Sequence, residues 1–472
     1  MRDIRVKGAG SGTGGSRAWF DWHSWLGILA GLLLFLICWS GTVATLSNEI
    51  DWLLNPDQRV TPEGEGASLE AVHRLVSEAY PQARINSIYP PMYETFAVDV
   101  LIETRHGQLR HVYVDPFTLS IAGSGPYLNV QRYLRDFHRR LFAGPVGFYL
   151  VCLLSLPLLA SLVTGLVFYR RWWKRFFEFK QARNVRGWVS NLHKLLGLWS
   201  LWFVVVIGIT GAWYLWEAMR SDVIDGTFVH TDVNASAVNR LPYVDADGRE
   251  PLPFPDLMKI ARETRPDLNI GYIIFNRGGY FYVVGQSDDV LVRHRANKLF
   301  LNPYTGEVVF TQHAEDLSAY WRWSNMADPL HFGDFGGLIS KVFWAVFGLF
   351  LSFLSVSGSW LFARRVARSA RYLTKMRITL GVTAVAALGV LFITPLPLMS
   401  LSAIGPTING EAQAARLLPG VLGFIWFWVI STWAIALSWV WMFFSSMQKA
   451  PASHVRTTTD RSKPQMKLAE IE

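Results

Sequence analysis

HSWLGILAGLLLFLICWSGTVATLS, residues 23–47, opens on a histidine and then stays apolar for long enough to cross a bilayer as a helix. Residues 193–216, HKLLGLWSLWFVVVIGITGAWYLW, repeat the plan. In each stretch a glycine follows the histidine by four residues (Gly27, Gly197), and a hydroxyl-glycine pair closes the run, with Gly41 and Gly211 each 18 residues beyond the histidine. Two more histidines share a longer spacing: His138 precedes Gly165, and His331 precedes Gly358, by 27 residues. The residues before these four glycines are Ser40, Thr210, Thr164 and Ser357. An ionisable side chain at the edge of a membrane span is a functional candidate in its own right. Two matched pairs of histidines on different helices are what an iron porphyrin requires as axial ligands.

The rest of the chain supports a membrane reading. Of 472 residues, 51% are hydrophobic, with 21 Trp and 30 Phe. The spacing predicts six spans, at 25–47, 138–169, 193–216, 331–363, 379–399 and 419–444. They are flanked by a leader (1–24), loops at 170–192, 364–378 and 400–418, a tail (445–472) and two long inserts, 48–137 and 217–330. The net charge of +9 argues for topology rather than for a nucleic-acid partner. Residues 170–194 hold eight Lys or Arg against one acid, Glu178, and 364–377 hold six with no acid. Short basic loops stay in the cytoplasm. Both termini are therefore expected in the cytoplasm and both inserts in the periplasm, across a bacterial inner membrane. Under that orientation His23 and His193 share the cytoplasmic face, and His138 and His331 the periplasmic one. No small-x-small cleavage pattern follows the first apolar run, which reads as a retained helix, and residues 8–16 read as a flexible leader. Cys38 and Cys152 fall inside apolar runs, which excludes a disulfide framework and a CxxC redox site.

The chain reads as helix, insert, helix, stated twice. VYVDPFT (112–118) and LFLNPYT (299–305) are alternating strands running into an Asp/Asn-Pro turn. Helical periodicity precedes them at 68–80 and 256–265, so each insert is expected to be a small α+β domain. The fold class this predicts is a membrane α-helical bundle of about six spans, internally duplicated, with two periplasmic α+β inserts. Together the His-x-x-x-Gly helix starts, the hydroxyl-glycine pairs and the VYVDP strand-turn resemble the PepSY-associated transmembrane family over about residues 18–366. That resemblance implies an inner-membrane protein of iron uptake, of the kind that includes haem-containing ferric-siderophore reductases.

The expected cofactor is two haem b groups, one held by His23 and His193 and the other by His138 and His331. No CxxCH, Walker A, GxSxG or Rossmann pattern is present. Gly27 and Gly197, one turn past their histidines, are candidates for close packing against a flat macrocycle. Around His138 the sequence RYLRDFHRR supplies Arg135, Arg139 and Arg140 as candidates for propionate or substrate contacts, with Arg322 as the second-half counterpart. Arg17 and Lys194 are the equivalents at the other face. His73, His106, His111, His230, His294, His313 and His454 form no ligand spacing, and nothing favours Met92 or Met326 as axial ligands. With no flavin or nicotinamide domain visible, the electron donor is expected to be separate, a quinol or a cytoplasmic flavoprotein. The expected acceptor is a ferric siderophore or another Fe(III) chelate. The rival readings are a siderophore or peptide permease, and a haem-free regulatory or scaffolding protein.

Overall fold

Ala30 interrupts the first apolar run. In the computed structural model α1 (Gly14–Leu29) and α2 (Gly31–Thr45) meet there at 63°. The stretch 25–47, expected as one straight span, is thus a bent pair. The bend seats α2 tightly on the helix Gly337–Val366, because a Cβ on Gly31 would lie only 2.8 Å from Ser359 Oγ. The structure describes residues 14–224, 241, 244, 246, 248–288, 291–401, 407–408, 411–412 and 417–451. His230 and His454 lie outside them, as does most of the leader and of the tail.

The remaining helices are α3 (Ser47–Leu54), α4 (Leu69–Ala79), α5 (Val130–Arg140), α6 (Gly144–Leu153), α7 (Ser155–Phe168), α8 (Val185–Trp199), α9 (Leu201–Met219), α10 (Phe254–Thr264), α11 (Ala319–Phe332), α12 (Gly337–Val366), α13 (Leu373–Ile393), α14 (Leu396–Leu401) and α15 (Pro419–Gln448). Five stretches are long and apolar enough to cross a bilayer: Gly144–Phe168, Leu201–Asp222, Gly337–Val366, Leu373–Ser400 and Pro419–Gln448. The bent α1–α2 pair makes six. This is a multi-pass membrane protein.

Four spans are preceded by a separate lead helix or helix segment, namely α1, α5, α8 and α11, and the breaks have local causes. After α5, Leu141 and Phe142 take left-handed backbone (φ 48° and 54°) ahead of Gly144-Pro145. After α11, Gly333 (φ 69°) closes the helix with its N–H on Pro329 O. α13 and α15 buttress the bundle. Trp439 and Phe443 pack with Leu32, Phe35 and Phe362, while Trp428, Ile425 and Val429 back the apolar face of α5 (Tyr133, Leu134, Phe137). Tyr133 anchors that face further by donating to Thr394 O at 2.7 Å.

The inserts do not form two separate domains. Insert one gives strands β1 (Arg84–Tyr89), β2 (Val98–Glu103), β3 (Leu109–Asp115) and β4 (Ser120–Pro126). Insert two gives β5 (Asn269–Arg277), β6 (Tyr280–Gln286), β7 (Asn297–Leu301) and β8 (Val308–Gln312). They make one antiparallel sheet, ordered β4-β3-β2-β1-β5-β6-β7-β8. The seam is β1 on β5, with Ser87 opposite Ile274 and Ile88 opposite Ile273. Each half would otherwise expose an unpaired edge, and joining satisfies both. A single core runs under α4 and α10, from Val72, Val76 and Val100 to Met258, Phe281 and Leu299. The two matching turns close in the same way: Asp115 accepts from Phe117 N and Asn302 from Tyr304 N, both at 2.9 Å. The helices on either side of the first insert's strands, α3 and α5, are tied together through Asp51 of α3. Its carboxylate is 2% exposed and accepts from Val130 N (2.9 Å) and Gln131 N (2.8 Å) at the start of α5.

Candidate functional site

Each of the four histidines sits on a lead helix: His23 on α1, His138 on α5, His193 on α8 and His331 on α11. Each half-buried ring reaches across to a different helix. His138 Nδ1 lies 3.1 Å from Ile37 O and 3.3 Å from Ser40 Oγ. Its ring rests on Gly41, where a Cβ would come within 2.7 Å of Cε1. His23 makes the reciprocal contact, with Nδ1 2.9 Å from Ser161 O and 3.4 Å from Thr164 Oγ1, and its ring beside Gly165. In the second half His193 Nδ1 meets Ser357 Oγ at 2.7 Å with its ring beside Gly358, and His331 Nδ1 meets Thr210 Oγ1 at 2.8 Å. The hydroxyl-glycine pairs are therefore receptors for histidines. The hydroxyl holds Nδ1 and the missing Cβ leaves room for the ring. Gly211 departs from this, since its close neighbour is Ser155.

Carbonyl oxygens only accept, so Nδ1 of His23 and of His138 carries the proton. The Thr210 and Ser357 hydroxyls can give or take a proton, so they hold Nδ1 of His331 and of His193 in either tautomer. All four rings are thus held through Nδ1. No group among the described residues hydrogen-bonds any of their Nε2 atoms. An imidazole oriented through Nδ1 and vacant at Nε2 is the form that binds a metal.

At the sheet side two of the rings meet. His138 and His331 have centroids 6.2 Å apart and planes inclined at 45°. Two imidazoles bonded to one metal from opposite sides at about 2 Å leave their ring centres about 6 Å apart, so this pair fits a bis-histidine haem. His23 and His193 are close enough for a charge on the first to act on the second. The pairs occupy opposite ends of α12: Trp344 donates to Leu330 O beside His331, and Ser357, 13 residues on, holds His193. That separation is roughly 20 Å along the helix.

A charged network surrounds the sheet-side pair. Asp328, one turn before His331, is bonded by Arg293 (3.3 Å), Arg295 (2.9 Å) and the Tyr214 hydroxyl (2.7 Å). Tyr214 also packs edge-on against the His331 ring at 5.3 Å. Burial pushes the Asp328 carboxyl up, but Arg295 and Arg293 outweigh it and hold it at about 2. Of the expected arginines, Arg135 is exposed on the face of α5 that carries His138, within the fields of Arg139, Arg293 and Asp328. Arg139 is half-buried next to His138 and acts on Asp328. Arg140 is half-buried at the end of α5, its carbonyl against Gly147. Arg322 lies nine residues before His331, roughly 13 Å away along the helix, and does not flank the ring. Arg293 and Arg295 take that place. They flank His294 at the start of a 3-10 turn, His294–Ala296, and no periodicity in the sequence ties them to α11.

At the far pair the neighbouring cation is Arg365, unnoticed in the sequence. It donates to Ser24 Oγ at 3.2 Å and stacks over Phe20 at 4.4 Å. Arg17 and Lys194 are exposed, and Lys194 is close enough for its charge to act on His193. A Cβ on Gly27 would meet nothing within 4 Å, and one on Gly197 would touch only Leu354 at 3.8 Å. A groove of about 490 Å³ runs along α1, lined by Gly15, Ala18, Trp19, Trp22, Leu26 and Thr164. Met92 turns to Lys341 (3.7 Å) and Met326 packs beside Val292, Ala296 and Ala314.

The model of the PepSY-associated TM region matches residues 20–365, which takes in both histidine pairs and both inserts. The chain is also 33% identical over 79 residues to an uncharacterized protein of Pseudomonas aeruginosa, PA4219. That alignment covers 17% of this chain and 20% of the other protein's length.

Proposed function

We propose, since the chain belongs to the family of the PepSY-associated TM region, that it is an inner-membrane electron-transfer protein that binds two haem b groups and reduces a ferric chelate on the sheet side. The observation that carries this is the His138–His331 pair, with centroids 6.2 Å apart, both Nδ1 atoms anchored and both Nε2 atoms unpartnered. His23 and His193, built from the same four residue types, would hold the second group.

A haem held by His138 and His331, or by His23 and His193, would supply one-electron chemistry. The chain's own residues do the rest. Ser40, Thr210, Ser357 and the Ser161 and Ile37 carbonyls orient each imidazole through Nδ1. The arginines beside the sheet-side pair supply positive charge for propionates or for an anionic acceptor. The basic segments 170–194 and 364–377 support a cytoplasmic position for the far pair, where a quinol or a flavoprotein would deliver electrons. Reduction of the acceptor's Fe(III) to Fe(II) weakens its hold by hard oxygen ligands, and the metal leaves.

The test is the absorption spectrum of the purified protein, oxidised and dithionite-reduced. The expected result is a Soret band with sharp α and β bands and about two haems per chain by pyridine haemochrome. A colourless protein would sink the proposal and leave the histidines as interhelical locks.

A further inference from the structure

Beyond the sheet-side pair, α5 carries a basic face on toward the sheet. On α5, Arg132, Arg135, His138 and Arg139 recur at helical spacing on one face, opposite the buried face of Val130, Tyr133, Leu134 and Phe137. Arg132 and Arg135 lie about two turns and one turn beyond His138, toward the sheet. Arg135 makes no ion pair among the described residues and is exposed. The Arg132 guanidinium stacks on the Tyr127 ring at 4.2 Å. Tyr89, 37% exposed at the end of β1, is near enough to act on Arg132. Tyr89 meets Tyr272 of β5 at 5.7 Å, and Tyr272 meets His294 at 6.4 Å, between the two arginines that bind Asp328. The row therefore crosses the seam between the inserts and ends at His294, whose two neighbours bind Asp328. Among the described residues, Arg132 and Arg135 share this face with Asp136, while Asp328 and Asp334 are held by Arg293 and Arg295 and Asp99, behind Tyr127, is held by His111.

From this juxtaposition of α5 arginines and seam tyrosines we infer that the surface selects a ferric chelate of net negative charge whose iron is held by catecholate or carboxylate oxygens. Guanidinium groups bind such oxygens through paired, charge-assisted hydrogen bonds. Tyrosine rings stack on catechol rings. An uncharged or cationic chelate would desolvate Arg135 without replacing its water. The inference rests on the ferric-chelate reading, and its test does not need electron transfer.

Gallium(III) fills the same chelates and is not reduced, so binding can be read whether or not haem is present. The full-length protein in detergent would be titrated by calorimetry with a hexadentate gallium tricatecholate, which is trianionic, and with an uncharged gallium trihydroxamate. The tricatecholate is expected to bind at least about tenfold more tightly, and raised salt should narrow the gap. R132Q/R135Q should abolish the preference and R132K/R135K should keep part of it. R135Q alone, at an exposed side chain with no ion pair, serves if the double variant fails to elute as a single species. Equal or tighter binding of the trihydroxamate, no binding of either chelate, or an unchanged ratio in R135Q and R132Q/R135Q would overturn the inference. Chelate binding in a haem-free protein would instead remove the electron-transfer reading and leave this one standing.

Discussion

Gly41 and His138 touch so closely that the smallest added side chain must move the ring. A Cβ there would stand 2.7 Å from Cε1 and 3.0 Å from Nδ1. Gly41→Ala should therefore displace His138 and remove about half of the haem absorbance, while Gly165→Ala, whose Cβ would meet His23 at an ordinary 3.4 Å, should remove little. Equal spectra for the two variants would show that these rings carry no ligand. Asp328 gives a second residue-scale prediction. Its carboxyl titrates lower in the folded protein, about 2, than its ordinary value of 3.8, so its contribution to stability is complete above about pH 4 and disappears as the pH falls through 2. Asp328→Asn leaves Arg293 and Arg295 without their shared anion and should cost about 2–3 kcal/mol at pH 7. Thermal unfolding followed from pH 7 down to about pH 1.5 should show the gap between the two proteins narrow below pH 4 and close as the pH falls through 2. A constant gap would mean that the charge of Asp328 is not what matters.

At the scale of elements, the seam between β1 and β5 is the joint that makes two inserts one platform. Ser87 and Ile274 face each other across it, and opposed residues in antiparallel strands stand about 4.5–5.5 Å apart at Cα, within disulfide reach. Ser87→Cys with Ile274→Cys should cross-link on mild oxidation and give a faster-migrating band on non-reducing gels. Failure to cross-link would separate the inserts. The sequence shows the strands and their turns plainly, because Asp115-Pro116 and Asn302-Pro303 end alternating apolar runs. The seam is invisible in it, since edge pairing is made by backbone groups that leave no side-chain pattern. The same limit hides the bend at Ala30, which has no proline to mark it. It also hides the role of the hydroxyl-glycine pairs. Ser40-Gly41 and Thr164-Gly165 stand out as a repeat, but their partners are histidines on other helices. Arg293 and Arg295 are harder still, because only the folded sheet brings their turn to Asp328.

Across the whole molecule the two histidine pairs lie at opposite ends of α12, with Trp344 near one and Ser357 at the other. A chain with a single electron site would need only one pair, and a second at the far end is useful when electrons enter on one side and leave on the other. This separates the two ends experimentally. His193→Ala should lower the haem content from about two to about one per chain and stop chelate reduction by a quinol or flavoprotein donor, yet leave the remaining centre reducible by dithionite. His331→Ala should also leave about one haem, which the donor still reduces, while the ferric chelate is no longer turned over. The pair of variants distinguishes a through-membrane path from two independent sites. If both variants retained chelate reduction by the physiological donor, neither pair would lie on the path. If either variant alone lost both haems, the two sites would be coupled in folding, and the α2–α12 contact at Gly31 and Ser359 would be the place to look for that coupling.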